Sequence, residues 1–169
     1  MRIAEELRYL ILAIQREGNR LLAEQLRPLG VTPSQAEVLR VLSGYGPLAL
    51  TELGDLLVCE TGNSPSRLVD RLVARGLIQR EVGLADRRYI TLCLTKEGKL
   101  LSRQIAKVED RLYATIEGLV AAQPVAETLS TLRALAGAFP AGQAVANRRS
   151  RSENVLNNHR AQLAPSTPT

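Results

Sequence analysis

Between Thr61 and Lys96 the chain reads as helix, strand, tight turn, strand, and this stretch carries seven basic residues against three acidic ones. In NSPSRLVDRLVARGLIQREVGLADRRYITLCLT, Leu68, Val69, Leu72 and Val73 fall at helical spacing and point inward. Ser66, Arg67, Asp70, Arg71 and Arg75 fall on the outward face. Ser64 is the predicted N-cap with Pro65 as first helical residue, the one turn where a missing N–H costs nothing, and Gly76 supplies a left-handed stop. Residues 77–82 and 89–94 then alternate, with Ile90, Leu92 and Leu94 on one side and Tyr89, Thr91 and Cys93 on the other. Gly83 lies in their connection, and Asp86-Arg87-Arg88 sits at its tip. A helix sized for a DNA major groove, followed at once by a charged two-stranded finger, predicts a winged helix-turn-helix.

The flanking pattern is helical. Apolar residues from Ile3 to Leu26 step by threes and fours, and Pro28 and Gly30 end that helix. Thr32 is placed to cap a second helix with Pro33 at its first position. Leu48-Ala49-Leu50 reads as a short strand, and Thr51 as the cap of a brief helix through TELGDLL. Thr95 caps a long helix over 96–120, in which Leu101, Ile105, Val108, Leu112, Ile116 and Leu119 trace one face. Gln123-Pro124 opens a last helix carrying Val125, Leu129, Leu132 and Leu135. Residues 140–169 lack sustained periodicity and read as a flexible basic tail.

The predicted fold class is therefore mainly α (α+β), organised as an N-terminal dimerisation helix (1–28), a winged helix-turn-helix (31–95), C-terminal dimerisation helices (96–139) and the tail (140–169). Dimerisation enters because helices 3–26 and 96–120 hold more apolar positions than a compact unit of about 65 residues can cover. A leftover apolar stripe finds its simplest partner in a second copy. With 3% aromatic residues and no Trp, Leu, Val, Ile and Ala must do the packing.

The net charge of +5 is unevenly placed. Residues 1–60 carry −2, residues 61–96 carry +4, residues 97–139 balance, and the tail carries +3. The excess on the helix-and-finger unit implies a polyanionic partner, and double-stranded DNA fits better than a membrane surface. No signal peptide is visible and no run approaches the roughly 18 apolar residues of a membrane span, so a cytoplasmic location is expected.

From Val31 to Leu101 the order and spacing resemble the MarR family of bacterial transcription regulators. The segments that carry the resemblance are VTPSQAEVLRVLSGYGPLALTELGDLL, SRLVDRLVARGLIQRE and the finger ADRRYITLCLTKEG. The resemblance implies a homodimer on a palindromic operator, with recognition helices in major grooves and wings reaching toward minor grooves. It further implies a repressor released by a small, often phenolic, effector. Where the family commonly has Ser-Thr-Val-Ser at the start of the recognition helix, this chain has Asn63-Ser64-Pro65-Ser66.

The expected DNA-binding residues are Asn63, Ser64, Ser66, Arg67, Arg71, Asp86, Arg87 and Arg88. Arg67 lies nearest the end of the helix that meets base edges, where a guanidinium pairs bidentately with guanine. Arg71 and Arg75 point to phosphates, or alternatively to Asp70 and Glu81. Ser66 suits a phosphate at the helix N-terminus, whereas Ser64 has capping as its simpler task. Asp86 can fix the turn while Arg87 or Arg88 extends into a narrow minor groove; the resemblance favours Arg88. An effector pocket is expected between the dimerisation helices and the winged unit, lined by Tyr9, Ile14, Leu42, Tyr45 and Tyr113, residues that also serve as core.

Other chemistries find little support. Cys59 precedes the recognition helix but has Glu60 beside it, and Cys93 reads as packing, so redox sensing is not the favoured reading. The single histidine, His159, lies in the tail, which leaves no metal-ligand cluster. No phosphate loop, nucleophile elbow or histidine-based triad is present, so neither an enzyme nor a cofactor is expected. Two rival readings share the charge pattern: a winged-helix module docking an acidic protein, and a non-specific architectural DNA binder.

Overall fold

The computed structural model describes residues 1–58, 64–82 and 90–163, with side chains as far as residue 154. Helix α1 spans Ile3–Leu26 and passes through a 3₁₀ turn at Arg27–Leu29 into Gly30, whose φ of 66° closes the turn. Helices α2 (Pro33–Tyr45), α3 (Leu50–Gly54) and α4 (Pro65–Ala74) follow, then strands β1 (Ile78–Val82) and β2 (Ile90–Leu94). The chain continues through α5 (Lys96–Val120), α6 (Val125–Ala136) and α7 (Pro140–Leu163).

The boundaries follow local chemistry. The Thr32 hydroxyl accepts from Gln35 N–H at 3.3 Å while Gln35 reaches back to Thr32 N–H at 3.1 Å, a reciprocal box that starts α2 with Pro33 in its first turn. Thr95 does more than cap α5. Its hydroxyl accepts from Gly98 N–H at 3.0 Å and donates to the Gly76 carbonyl at 2.7 Å, tying the start of α5 to the end of α4. Gly76 has φ 68°, the left-handed stop that its position after α4 requires.

The two strands pair antiparallel, with Ile78 opposite Leu94, Arg80 opposite Leu92 and Val82 opposite Ile90. Of the short strand expected at 48–50, only Leu48 pairs, exchanging backbone hydrogen bonds with Leu92. Helix α3 starts at Leu50 with Ala49 at its cap, two residues ahead of the expected Thr51, where Glu52 reaches back to Ala49 N–H at 2.8 Å. The core is aliphatic: Leu26, Val38, Leu39, Leu53, Leu56, Val69, Leu72, Ile78, Leu92 and Ile105 are all fully enclosed. Helix α5 lies along α2, joined by the Arg40–Glu109 ion pair at 2.7 Å and by Ser102, whose hydroxyl faces the Leu39 carbonyl.

Burial divides α5 in two. Gly98, Ser102, Ile105 and Val108 are inside, whereas Ile116 and Leu119 beyond them are exposed. Helix α6 exposes Val125, Leu129, Leu132 and Leu135 alike, and α1 buries Leu26 but leaves Leu10 and Ile14 open, the latter 73% exposed.

The reading of 140–169 as a flexible tail is corrected over Pro140–Leu163, which forms α7. Its attachment is polar, through Asn147, Arg148, Arg151 and Ser152, and therefore leaves no apolar stripe in the sequence. No helix among the described residues is long and apolar enough to cross a membrane.

Candidate nucleic-acid interface

Helix α4 is held by one face. Leu68, Val69 and Leu72 are buried, and the opposite side presents Arg67, Asp70, Arg71 and Arg75 to solvent. Ser64 stands at the cap position with Pro65 first in the helix, as the spacing predicts, but its side chain makes no capping bond. Its carbonyl accepts from Arg67 N–H at 3.0 Å, and the residue is exposed. The Ser64 hydroxyl, without a capping bond among the described residues, and the first-turn Ser66 N–H, which has no intrahelical acceptor, lie at the positive end of the helix dipole.

The four arginines of this region fall into two pairs, one engaged within the fold and one not. Arg75 Nη1 donates to the Gly30 carbonyl at 2.9 Å, so this guanidinium braces the turn between α1 and α2. Arg80 on β1 pairs with Asp70 at 2.6 Å across the exposed face. Glu81, the other carboxylate considered for Arg71 and Arg75, accepts from Gln79 at 2.7 Å. Arg67 and Arg71 have no ionic partner among the described residues, and four-residue spacing puts them on the same face of α4. Asn63, Asp86, Arg87, Arg88 and Cys59 lie outside the described residues.

One of the five residues expected to line an effector pocket, Leu42, borders a hollow at the edge of the winged unit. This hollow, of about 580 Å³, lies between the end of α2, the outer face of the strands and the start of α5, bordered by Leu42, Pro47, Glu81, Cys93, Lys99 and Arg103 among others. Tyr9 and Ile14 stand exposed on α1, Tyr113 is half exposed on α5, and the Tyr45 hydroxyl lies 2.7 Å from that of Ser152 on α7. Burial, and after it the Glu81 carboxylate, push the Cys93 thiol above its ordinary range. Such a thiol stays protonated near neutrality and is a weak nucleophile, in keeping with a packing role.

The sequence profile of the MarR family matches residues 29–88, from the turn after α1 to just short of β2. The multiple antibiotic resistance protein MarR of Salmonella typhimurium is 32% identical over 95 residues, 56% of this chain. That match spans 65% of the Salmonella protein, just under two thirds of its length. The HTH-type transcriptional regulator FarR of Neisseria gonorrhoeae is 30% identical over 105 residues, 60% of this chain and 71% of FarR. Among solved structures, a cysteine-to-serine mutant of MarR from E. coli complexed with operator DNA superposes with a TM-score of 0.68. It is 27% identical, and the match covers 80% of this chain and 99% of that one.

Proposed function

Because the chain belongs to the MarR family, we propose that it is a DNA-binding transcriptional regulator, a repressor that binds a palindromic operator as a homodimer. The observation that carries the reading is the exposed face of α4, where Arg67 and Arg71 have no described ionic partner while Arg75 and Arg80 are engaged within the fold. In this reading residues 31–95 are the DNA-reading unit. Arg67 reads a base edge, Arg71, Ser64 and Ser66 meet phosphates, and Arg88 of the finger enters the minor groove, with Asn63, Asp86 and Arg87 beside these contacts.

The exposed apolar residues of α1, α5 and α6 support the pairing of two copies through 1–28 and 96–139. A chain leaving Leu10, Ile14, Ile116, Leu119, Leu129 and Leu132 open carries an apolar surface that water disfavours. A small effector, of the phenolic kind that the family resemblance implies, has its seat in the hollow at Leu42, Pro47, Lys99 and Arg103, from which it would act on the finger strands. The protein works in the cytoplasm, on the nucleoid when bound.

Selection of bound fragments from the source genome tests the reading. Recovery of a pseudo-palindrome with half-sites about one helical turn apart supports it. Equal recovery of all duplexes points to an architectural binder, and no recovery at low salt points to a protein partner.

Single substitutions separate the roles. Arg67→Ala is expected to cost about 1–3 kcal/mol on the operator and to relax preference at one base position, measured by binding to a panel of single-base operator variants. Arg88→Ala and Arg71→Ala are expected to weaken binding to all sequences and to lower the slope of log affinity against log salt by roughly one each. An unchanged slope for both would remove them from the phosphate and groove contacts.

A further inference from the structure

Helix α3 ends with carbonyls that its own turn does not satisfy, and α7 supplies their donors from ninety residues away. Asn147 Nδ2 donates to the Asp55 carbonyl at 3.1 Å, and Arg148 Nε donates to the Leu56 carbonyl at 2.6 Å. The same guanidinium pairs through Nη2 with the carboxylate of Glu37 on α2. Glu37 in turn accepts from Val58 N–H at 2.8 Å. The Glu37 side chain is only 10% exposed and that of Arg148 is 29% exposed, so the pair sits largely out of water, where a charged group without its partner is costly.

Further contacts extend the attachment. Arg151 faces Glu52 at 3.7 Å, and the Tyr45 hydroxyl meets Ser152. Ala144 is buried at the start of the docked stretch. The residues gripped in this way are Asp55, Leu56 and Val58, at the end of α3, the helix that packs on α4.

We infer that α7 is a brace for DNA recognition and that Arg148 is its positioning residue. By holding the end of α3, which packs on α4, through the Leu56 carbonyl and the Val58 amide, Arg148 and Glu37 set the position from which α4 presents Ser64, Ser66 and Arg67. The inference rests on the DNA-binding reading above and deepens it. Arg148 acts without touching the duplex. Its planar fork is what the geometry uses, because one group must donate along Nε to a carbonyl and along Nη2 to a carboxylate; an ammonium cannot reproduce both directions. Helix α7 also follows closely on α6, so one stretch of chain links the proposed dimer helices to the end of α3.

The test uses the full-length protein with Arg148→Lys, which keeps the charge and loses the fork, alongside Arg148→Ala and Asn147→Ala. Hydrogen exchange of the Val58 amide is read in the absence of DNA, with the amide of the core residue Leu72 as reference. Binding is then measured to a fragment recovered from the genome and to a scrambled duplex of equal length. A bracing role predicts that R148K speeds Val58 exchange roughly tenfold while Leu72 is unaffected. It also predicts a roughly tenfold loss of affinity for the recovered fragment, since fewer molecules hold the competent arrangement, with scrambled binding and salt slope unchanged.

Unchanged Val58 exchange in all three variants overturns the brace. Faster exchange with undiminished preference for the recovered fragment overturns its role in recognition. If the unaltered protein prefers no duplex, the DNA-binding reading is what fails, and the Val58 exchange still decides whether α7 holds the end of α3. Should Arg148→Ala fail to fold, Arg148→Lys and the exposed Asn147→Ala give the same readouts.

Discussion

If two copies pair as proposed, a chain carrying Ile116→Asp and Leu132→Asp will run as a monomer at concentrations where the unaltered protein runs as a dimer, with its helical content retained. Both side chains are exposed in the single chain, at 47% and 38%, so the substitutions remove little from the fold itself. In a symmetric pair each substitution counts twice, and four apolar side chains leave the interface. At about 1–1.5 kcal/mol for each half-covered side chain, the loss is roughly 5 kcal/mol, on the order of 10³–10⁴ in the dissociation constant. Any carboxylate left between the helices adds a desolvation penalty in the same direction. Sedimentation equilibrium reads the outcome. A dimer of unchanged stability would show that α5 and α6 face solvent in the assembled protein.

The second large effect lies inside the fold. Gly98→Ala is expected to destabilise the protein by about 3 kcal/mol, the upper range for forcing volume into a closed contact. A Cβ at this position would stand 2.0 Å from the Leu77 carbonyl oxygen and 3.0 Å from its carbon, both backbone atoms that no rotamer change can move aside. The start of α5 would have to lift from the start of β1. That motion strains Thr95, which donates its N–H to the Leu77 carbonyl at 3.1 Å and its hydroxyl to that of Gly76. Thermal unfolding at fixed protein concentration should show a midpoint lower by roughly 10 °C. A shift of less than a degree or two would mean that the helix and strand separate easily here. The Leu-Thr-x-x-Gly pattern after the finger thus has a steric reason: its glycine is where helix and strand backbones meet.

Much of the fold was readable because it depends on short-range chemistry. Thr32 with Gln35 and Thr95 with Gly98 start their helices where hydroxyl placement and apolar period agree. The alternation of β2 put Leu92 and Leu94 inside, and Gly76 adopted the positive φ that its place after α4 demanded. The misses share a different cause. Helix α7 docks by long polar side chains onto carbonyls and a carboxylate, so no apolar stripe announces it; the Arg149–Glu153 pair, at helical spacing, was the one local hint. Arg75 was weighed as a phosphate ligand, yet its acceptor is the carbonyl of Gly30, 45 residues earlier, a contact that no spacing rule encodes. A pocket lining is hard to read from sequence for a related reason. Apolar and aromatic residues on helices serve core, interface or cavity alike, and only the packing of α2, the strands and α5 decides which of them border a hollow.

The measurement that bears most directly on the account is the mass of the complex on a fragment recovered from the source genome, by light scattering, together with its footprint. Two chains on one duplex, protecting two half-sites about 10 base pairs apart, are predicted. One chain per duplex, or the same mass and protection on a scrambled sequence, would contradict it.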